Sequence, residues 1–275
     1  MQNLNYSERL LLADILEISV EKTFVKKLEL SKIQTREFEK KQKLLQKNYP
    51  LDYLLNKINF LENDFYLDQK VLIPRPETEE WVKILLDIKF SKNSILVDLG
   101  CGSGVVGLSL ASKFKKTYGL DYSNFAIKVT KKNIKLNKIK NIKVLKSNLF
   151  SNSYLKNKIN KTKNWVLTAN LPYLPNNAIF EASLNKINFE PKLALYSGFD
   201  GLKLFRKTLQ ELSDFINLPN IVFFELDPRN IKKAQKLLQK INYQTQILKD
   251  FNQQNRLLIG FKNKKITKTL KKIKA

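Results

Sequence analysis

Residues 95–104 constrain the fold more than any other part of the chain. Ile95-Leu96-Val97-Asp98-Leu99 has the near-continuous apolar character of a strand buried on both faces, and Gly100-Cys101-Gly102-Ser103-Gly104 follows it directly. Glycine reaches positive φ and lets a ligand approach the backbone closely. A helical pattern begins at Gly104, so free helical N–H groups would face the electron-rich end of a ligand. Strand, glycine-rich turn and helix together suit a nucleotide-like cofactor at the carboxyl end of a parallel sheet. Alone, such a turn also fits a dinucleotide enzyme or a plain tight turn.

The rest of the chain supplies the sheet. Residues 5–47 read as helices, with Leu10, Leu11, Ala13, Ile15 and Leu16 on helical faces, and Tyr49-Pro50 ends them. Residues 58–73 read as a hairpin around Glu62-Asn63-Asp64. Strands are then expected at 95–99, 117–121, 142–145, 165–169 and 221–226, and helices at 104–114, 124–136 and 230–241. Residues 243–248 and 256–261 close the domain as a strand pair. This alternation predicts an α/β, Rossmann-like, mostly parallel seven-stranded sheet. The expected organisation is a helical N-terminal domain (1–50), a linker with the hairpin (51–76), a catalytic domain (77–262) and a basic tail (263–275).

Composition removes whole classes of chemistry. The chain has no histidine, which excludes His-based acids, bases and metal clusters, and its one cysteine excludes an intramolecular disulfide. Without a histidine to activate it, Cys101 reads as a small residue filling the turn. No metal is expected. The N-terminus carries Glu8, Arg9, Asp14 and Glu17 where a signal peptide needs an apolar core, so a cytoplasmic protein without a membrane span is expected. The net charge of +25 suits weak contact with RNA or the ribosome, but only six of the 50 basic residues are arginine. AT-rich coding accounts equally well for a chain so full of Lys, Asn and Ile.

Asp121 ends the second expected strand, about twenty residues beyond the glycines, where a carboxylate can accept both hydroxyls of a ribose. Its other reading is a cap for the helix starting near Ser123. Asn148 follows the third strand, where an adenine would lie, and reads equally as an acceptor for the adenine amino group or as a turn residue. Asn170-Leu171-Pro172-Tyr173 follows the fourth strand. An amide nitrogen is a poor nucleophile because its lone pair is delocalised into the carbonyl. Accepting its two N–H bonds at fixed positions returns density to nitrogen and aims it. Asn170 can supply a side-chain oxygen and Leu171 a backbone carbonyl. Pro172 holds Leu171 extended, and Tyr173 can pack against a flat group. Catalysis would then run on positioning and electrostatics. Both motifs together point to methyl transfer from S-adenosylmethionine to nitrogen, leaving S-adenosylhomocysteine.

The chain resembles the PrmC/HemK release-factor glutamine methyltransferases over roughly residues 50–261. The resemblance rests on an ordered series: Leu72-Ile73-Pro74-Arg75-Pro76-Glu77-Thr78-Glu79, Asn188-Phe189-Glu190-Pro191, Leu193-Ala194-Leu195, Gly198-Phe199-Asp200-Gly201, and Asp250 with Arg256 to Gly260. It implies a small helical N-terminal domain, a class I S-adenosylmethionine-dependent methyltransferase domain, and as substrate the glutamine of the Gly-Gly-Gln loop of peptide chain release factors. By motif position it assigns Gly100, Cys101, Gly102, Ser103, Gly104 and Asp121 to the cofactor. It puts Leu149 beside the adenine and gives Asn170 to Tyr173 the glutamine amide; Asn148 and Asn170 are also expected among the cofactor-binding residues.

Three departures accompany it. Leu171 stands where the family usually has the first proline of Asn-Pro-Pro-Tyr, and Asn148-Leu149 stands where an acidic residue and an aromatic are common. The N-terminal domain is short. Asn-Leu-Pro-Tyr also resembles the rRNA adenine dimethyltransferases, so methylation of a nucleic-acid adenine amino group is the main alternative. The Pro-Arg-Pro-Glu-Thr-Glu segment favours the release-factor group over both those enzymes and the ribosomal-protein glutamine methyltransferases. A basic RNA-binding protein with a vestigial cofactor fold is the third reading, and it predicts no binding of S-adenosylmethionine.

Overall fold

The computed structural model describes residues 4–25, 28–176 and 186–262. The lysine-rich tail expected at 263–275 lies outside them. Four helices open the chain: α1 (Tyr6–Leu16), α2 (Lys22–Val25), α3 (Lys32–Gln46) and α4 (Leu51–Leu55). Capping boxes start α1 and α3, where Asn5 pairs reciprocally with Glu8 and Ser31 with Gln34, so two otherwise orphaned donors are satisfied at each end. Leu11, Leu12, Phe38 and Leu54 form a small separate core, so α4, beyond Pro50, packs with α1 and α3.

A hairpin of β1 (Lys57–Phe60) and β2 (Asn63–Tyr66) follows. It is narrower than expected and its turn sits earlier. Phe60 pairs with Asn63, and Leu61 and Glu62 turn with φ of 49° and 63°. The reason lies in α5 (Pro76–Asp87), whose Glu79 carboxylate accepts the Leu61 N–H at 3.1 Å. Val71 and Ile73 are not strand residues, because side chains take their backbone groups. The Tyr53 hydroxyl donates to the Val71 carbonyl (2.7 Å), and the Ile73 N–H donates to Glu190 (3.1 Å).

The main sheet comprises β3 (Ile95–Leu99), β4 (Lys116–Asp121), β5 (Ile142–Lys146), β6 (Trp165–Ala169), β7 (Ile221–Glu225), β8 (Gln244–Lys249) and β9 (Asn255–Phe261). Their order is β5-β4-β3-β6-β7-β9-β8, with only β8 and β9 antiparallel to their neighbours. Side-chain alternation splits the core by face. Leu96, Val166, Phe223 and Ile259 pack with α5 and α6 (Val105–Leu110), while Val97, Leu167, Val222 and Leu258 pack with α8 (Ser153–Asn160), α9 (Lys203–Leu212) and α10 (Ile231–Lys240). The helix expected over 104–114 stops at Leu110 and continues as a 3₁₀ turn. Asn141 draws off its last carbonyls, donating to Ala111 (2.8 Å) and Phe114 (2.9 Å). Helices α5, α8 and α9 were not among the expected elements. Among the described residues, no helix is long and apolar enough to cross a membrane.

Asn133, on α7 (Asn124–Leu136), joins three parts of this architecture. Its carboxamide accepts from the Tyr66 N–H (2.7 Å) and donates to the carbonyls of Tyr66 (3.0 Å) and Ser103 (2.8 Å), so the hairpin edge and the glycine-rich turn are tied to one buried side chain. Asn133→Leu strands these backbone groups. It should cost about 2–4 kcal/mol, read from the urea midpoint at constant m-value. A loss under about 0.5 kcal/mol would contradict this role.

Candidate active site

Register places the site. Leu99 lies opposite Leu120 and Ala169, and Ala169 opposite Phe224, so β3, β4, β6 and β7 end together. The residues just beyond or at those ends are Gly100, Asp121, Asn170 and Glu225. This is the carboxyl edge, where doubly wound sheets bind ligands.

The glycine-rich turn is folded by its own backbone. Gly100 and Cys101 both donate to the Leu120 carbonyl (2.8 and 2.9 Å), and Gly104 donates to Cys101 (2.7 Å). Gly100 has φ +73°, which calls for glycine, and a Cβ there would come within 2.8 Å of the Leu171 Cδ2, so that side chain would have to shift. Leu171 thus has a packing role against the turn. Gly104, with φ +87°, is the N-cap of α6. Asp121 anchors the turn from the next strand: one carboxylate oxygen accepts from the Gly102 N–H (2.9 Å), the other from the Ser123 N–H (2.8 Å). The helix cap belongs to Ser123, whose hydroxyl accepts from the Ala126 N–H. Burial raises the Asp121 pKa, and these backbone bonds oppose the rise.

Gly100, Cys101, Gly102, Ser103, Asp121, Asn148, Leu149, Asn170, Leu171 and Pro172 line one cavity of about 440 Å³. Its size lies within the range of small-molecule sites. Gly104 lies outside this lining, and Tyr173 lines an adjoining cavity of about 200 Å³ that shares Asn170. Asn148 is exposed and its backbone closes a turn with Ser151, while Leu149 is 6% exposed, with φ +51°. Cys101 is buried, and desolvation pushes its thiol well up, so it holds no thiolate at neutral pH.

The decisive geometry surrounds Asn170. Its Nδ2 donates to Glu225 Oε2 (3.0 Å) and Thr78 Oγ1 (3.1 Å), and its Oδ1 is buried with no hydrogen-bond partner among the described residues. The Tyr173 hydroxyl donates to Glu225 Oε1 (3.0 Å). Burial and the Glu225 charge push the Tyr173 phenol well up, so it stays neutral. Sequence reasoning missed Glu225, Thr78, Trp81 and Asp98 as site residues. The one available signal was an acidic residue ending the apolar strand Ile221–Phe224. Among the described residues, no group of three or more His, Cys, Asp or Glu is placed to hold a metal ion.

Residues 90–188 match the family model for a methyltransferase domain. The release factor glutamine methyltransferase of Flavobacterium psychrophilum is 31% identical over 81% of this chain and 78% of its own length. That of Buchnera aphidicola subsp. Schizaphis graminum is 36% identical over 78% of this chain and 76% of its own. The chain belongs to the release factor glutamine methyltransferase family. The fold is also that of the hMettl16 catalytic domain, solved with a MAT2A 3'UTR hairpin. That structure is 12% identical over 86% of this chain and 84% of its own, at a TM-score of 0.53.

In this family member the Asp98 side chain joins α6 to β6. Its carboxyl group accepts from the Gly107 N–H (3.0 Å) and the Thr168 hydroxyl (3.0 Å), and burial lifts its pKa to about 7. A folded pKa above the unfolded value of about 4 means that the folded form binds the proton more tightly. The stabilisation is therefore complete below about pH 4 and is lost as pH rises towards 7. Urea unfolding should show wild type losing stability relative to Asp98→Asn across that window. Parallel pH profiles would contradict the assignment.

Proposed function

We propose that this protein transfers a methyl group from S-adenosylmethionine to the side-chain amide nitrogen of the glutamine in the Gly-Gly-Gln motif of peptide chain release factors. The observation that carries the reading is the buried, unpaired Asn170 Oδ1, because a polar atom kept without a partner in a built site calls for a donor from outside. A primary amide supplies that donor.

The cavity residues fit the cofactor. The glycine-rich turn offers backbone without side-chain obstruction. Each Asp121 oxygen spends one lone pair on a backbone N–H and keeps another for a ribose hydroxyl. Asn148 and Leu149 lie where the adenine is expected. When bound, S-adenosylmethionine supplies an electrophilic methyl group.

Asn170 Oδ1 and the Leu171 carbonyl accept the two amide N–H bonds, holding the glutamine nitrogen in place and enriching it. Pro172 fixes the course of the chain through that segment. The Tyr173 ring, tethered through its hydroxyl, packs beside the flat carboxamide. As the methyl group bonds to the nitrogen its bond to the donor sulfur breaks, S-adenosylhomocysteine leaves and the nitrogen releases one proton to water. No histidine base is therefore needed for a step that runs on orientation and electrostatic support. The helices of residues 1–50 are the proposed docking part for the release factor.

With methyl-labelled donor, wild type should label a purified release factor. Asn170→Ala should lower kcat about 100-fold while donor affinity stays within about threefold. Asp121→Ala should instead weaken donor binding at least about tenfold by calorimetry. Label in RNA with the release factor untouched would overturn the reading in favour of adenine methylation. Normal turnover in Asn170→Ala would remove the role of its side-chain oxygen.

A further inference from the structure

Glu225 is 1% exposed and ends β7 under the Asn170–Tyr173 segment. Four side chains donate to it. Thr78 Oγ1 (2.6 Å), Trp81 Nε1 (2.7 Å) and Asn170 Nδ2 (3.0 Å) meet one carboxylate oxygen, and the Tyr173 hydroxyl (3.0 Å) meets the other. Glu225 also lines the adjoining cavity of about 200 Å³ together with Asn170 and Tyr173.

We propose that Glu225 is a positioning residue: it decides which way the Asn170 carboxamide faces, and so which atom meets the substrate amide. The proposal rests on the functional reading above. A carboxamide has two ends of nearly equal shape, and rotation by a half-turn exchanges them. For catalysis they are opposites, since only the oxygen can accept an N–H. A carboxylate accepts and cannot donate, so the end turned towards Glu225 must be Nδ2. Thr78 reinforces the choice. Its proton goes to Glu225, which leaves its oxygen to accept from Asn170.

A half-turn would press the carboxamide oxygen against the Glu225 carboxylate, and Thr78 could donate to it only by giving up its bond to Glu225, in a buried site where unmatched polar contacts are most costly. Locked in this way, Asn170 leaves Oδ1 for the incoming amide. The bond from Tyr173 fastens the other end of the segment to the same carboxylate.

The test compares Glu225→Ala, Glu225→Gln, Thr78→Val and the double variant Asn170→Ala/Glu225→Ala, by initial rates on a release factor. Glu225→Ala should lower kcat about 100-fold with the donor KM within about threefold of wild type. In Glu225→Gln the carbonyl oxygen can take the position with three donors, while its amide faces a Tyr173 hydroxyl that turns to accept. This variant should stay within about tenfold of wild type. In the double variant, losing Glu225 should add less than about threefold to the loss from Asn170→Ala, because one acts through the other.

Thr78→Val removes the second acceptor of Nδ2 and should cost about tenfold in kcat at unchanged donor KM. It carries the test if Glu225→Ala fails to fold. Undiminished kcat in Glu225→Ala or Thr78→Val, multiplicative losses in the double variant, or Glu225→Gln as inactive as Glu225→Ala would each overturn the proposal. A wild-type chain that leaves the release factor unmethylated contradicts the functional reading itself.

Discussion

A carboxylate removed from water must be met by donors, and Glu225 at the end of β7 imposes that requirement on everything around it. The donors come from two places, α5 and the segment after β6. Helix α5 must therefore lie across the carboxyl end of the sheet with Thr78 and Trp81 inward, and Asn170 and Tyr173 must descend onto the same group. Pro76 at the first helical position and Arg75 in extended conformation set the start of α5 so that this is met. Fold and site are thus joined by one buried group.

The same logic explains why two distant segments of the family series belong together. Arg75 pairs with Glu190, and the Ile73 N–H donates to the other oxygen of that carboxylate, so residues 72–75 and 188–191 are stitched side by side next to the cavity. Glu190 is 4% exposed, and burial raises its pKa against the pull of Arg75. Beyond it, Gly201 abuts the Tyr173 backbone so closely that a Cβ would sit 2.1 Å from that carbonyl oxygen. Asn230 donates to the carbonyls of both Tyr173 and Asp200. The segment carrying Asn170 to Tyr173 is held from several sides.

Much of this was legible in the chain because local pattern and tertiary burial agree there. Strands β3 and β6 and helix α7 fall on their expected residues, since continuous apolar runs and a 3.6-residue stripe leave few alternatives. Helix α8 escaped because it buries only Leu155 and Ile159 among lysines and asparagines, and its start depends on an Asn152 cap. Asp121 was ambiguous in sequence because a strand-end acid beside Ser123 can serve a helix or a ligand. The Ser123 hydroxyl, not Asp121, caps the helix. Glu225 could not be assigned from spacing, since its partners lie 147, 144, 55 and 52 residues away and meet it only because β6 pairs with β7 and α5 packs against the sheet.

On the proposed reading, a buried acceptor oriented by Glu225 waits for an amide. The most direct test is a crystal structure of the chain with S-adenosylhomocysteine and a Gly-Gly-Gln peptide. The glutamine carboxamide nitrogen should lie about 3 Å from Asn170 Oδ1, with Nδ2 still on Glu225. A glutamine bound elsewhere, or an Asn170 turned with its oxygen towards Thr78 and Glu225, would contradict it.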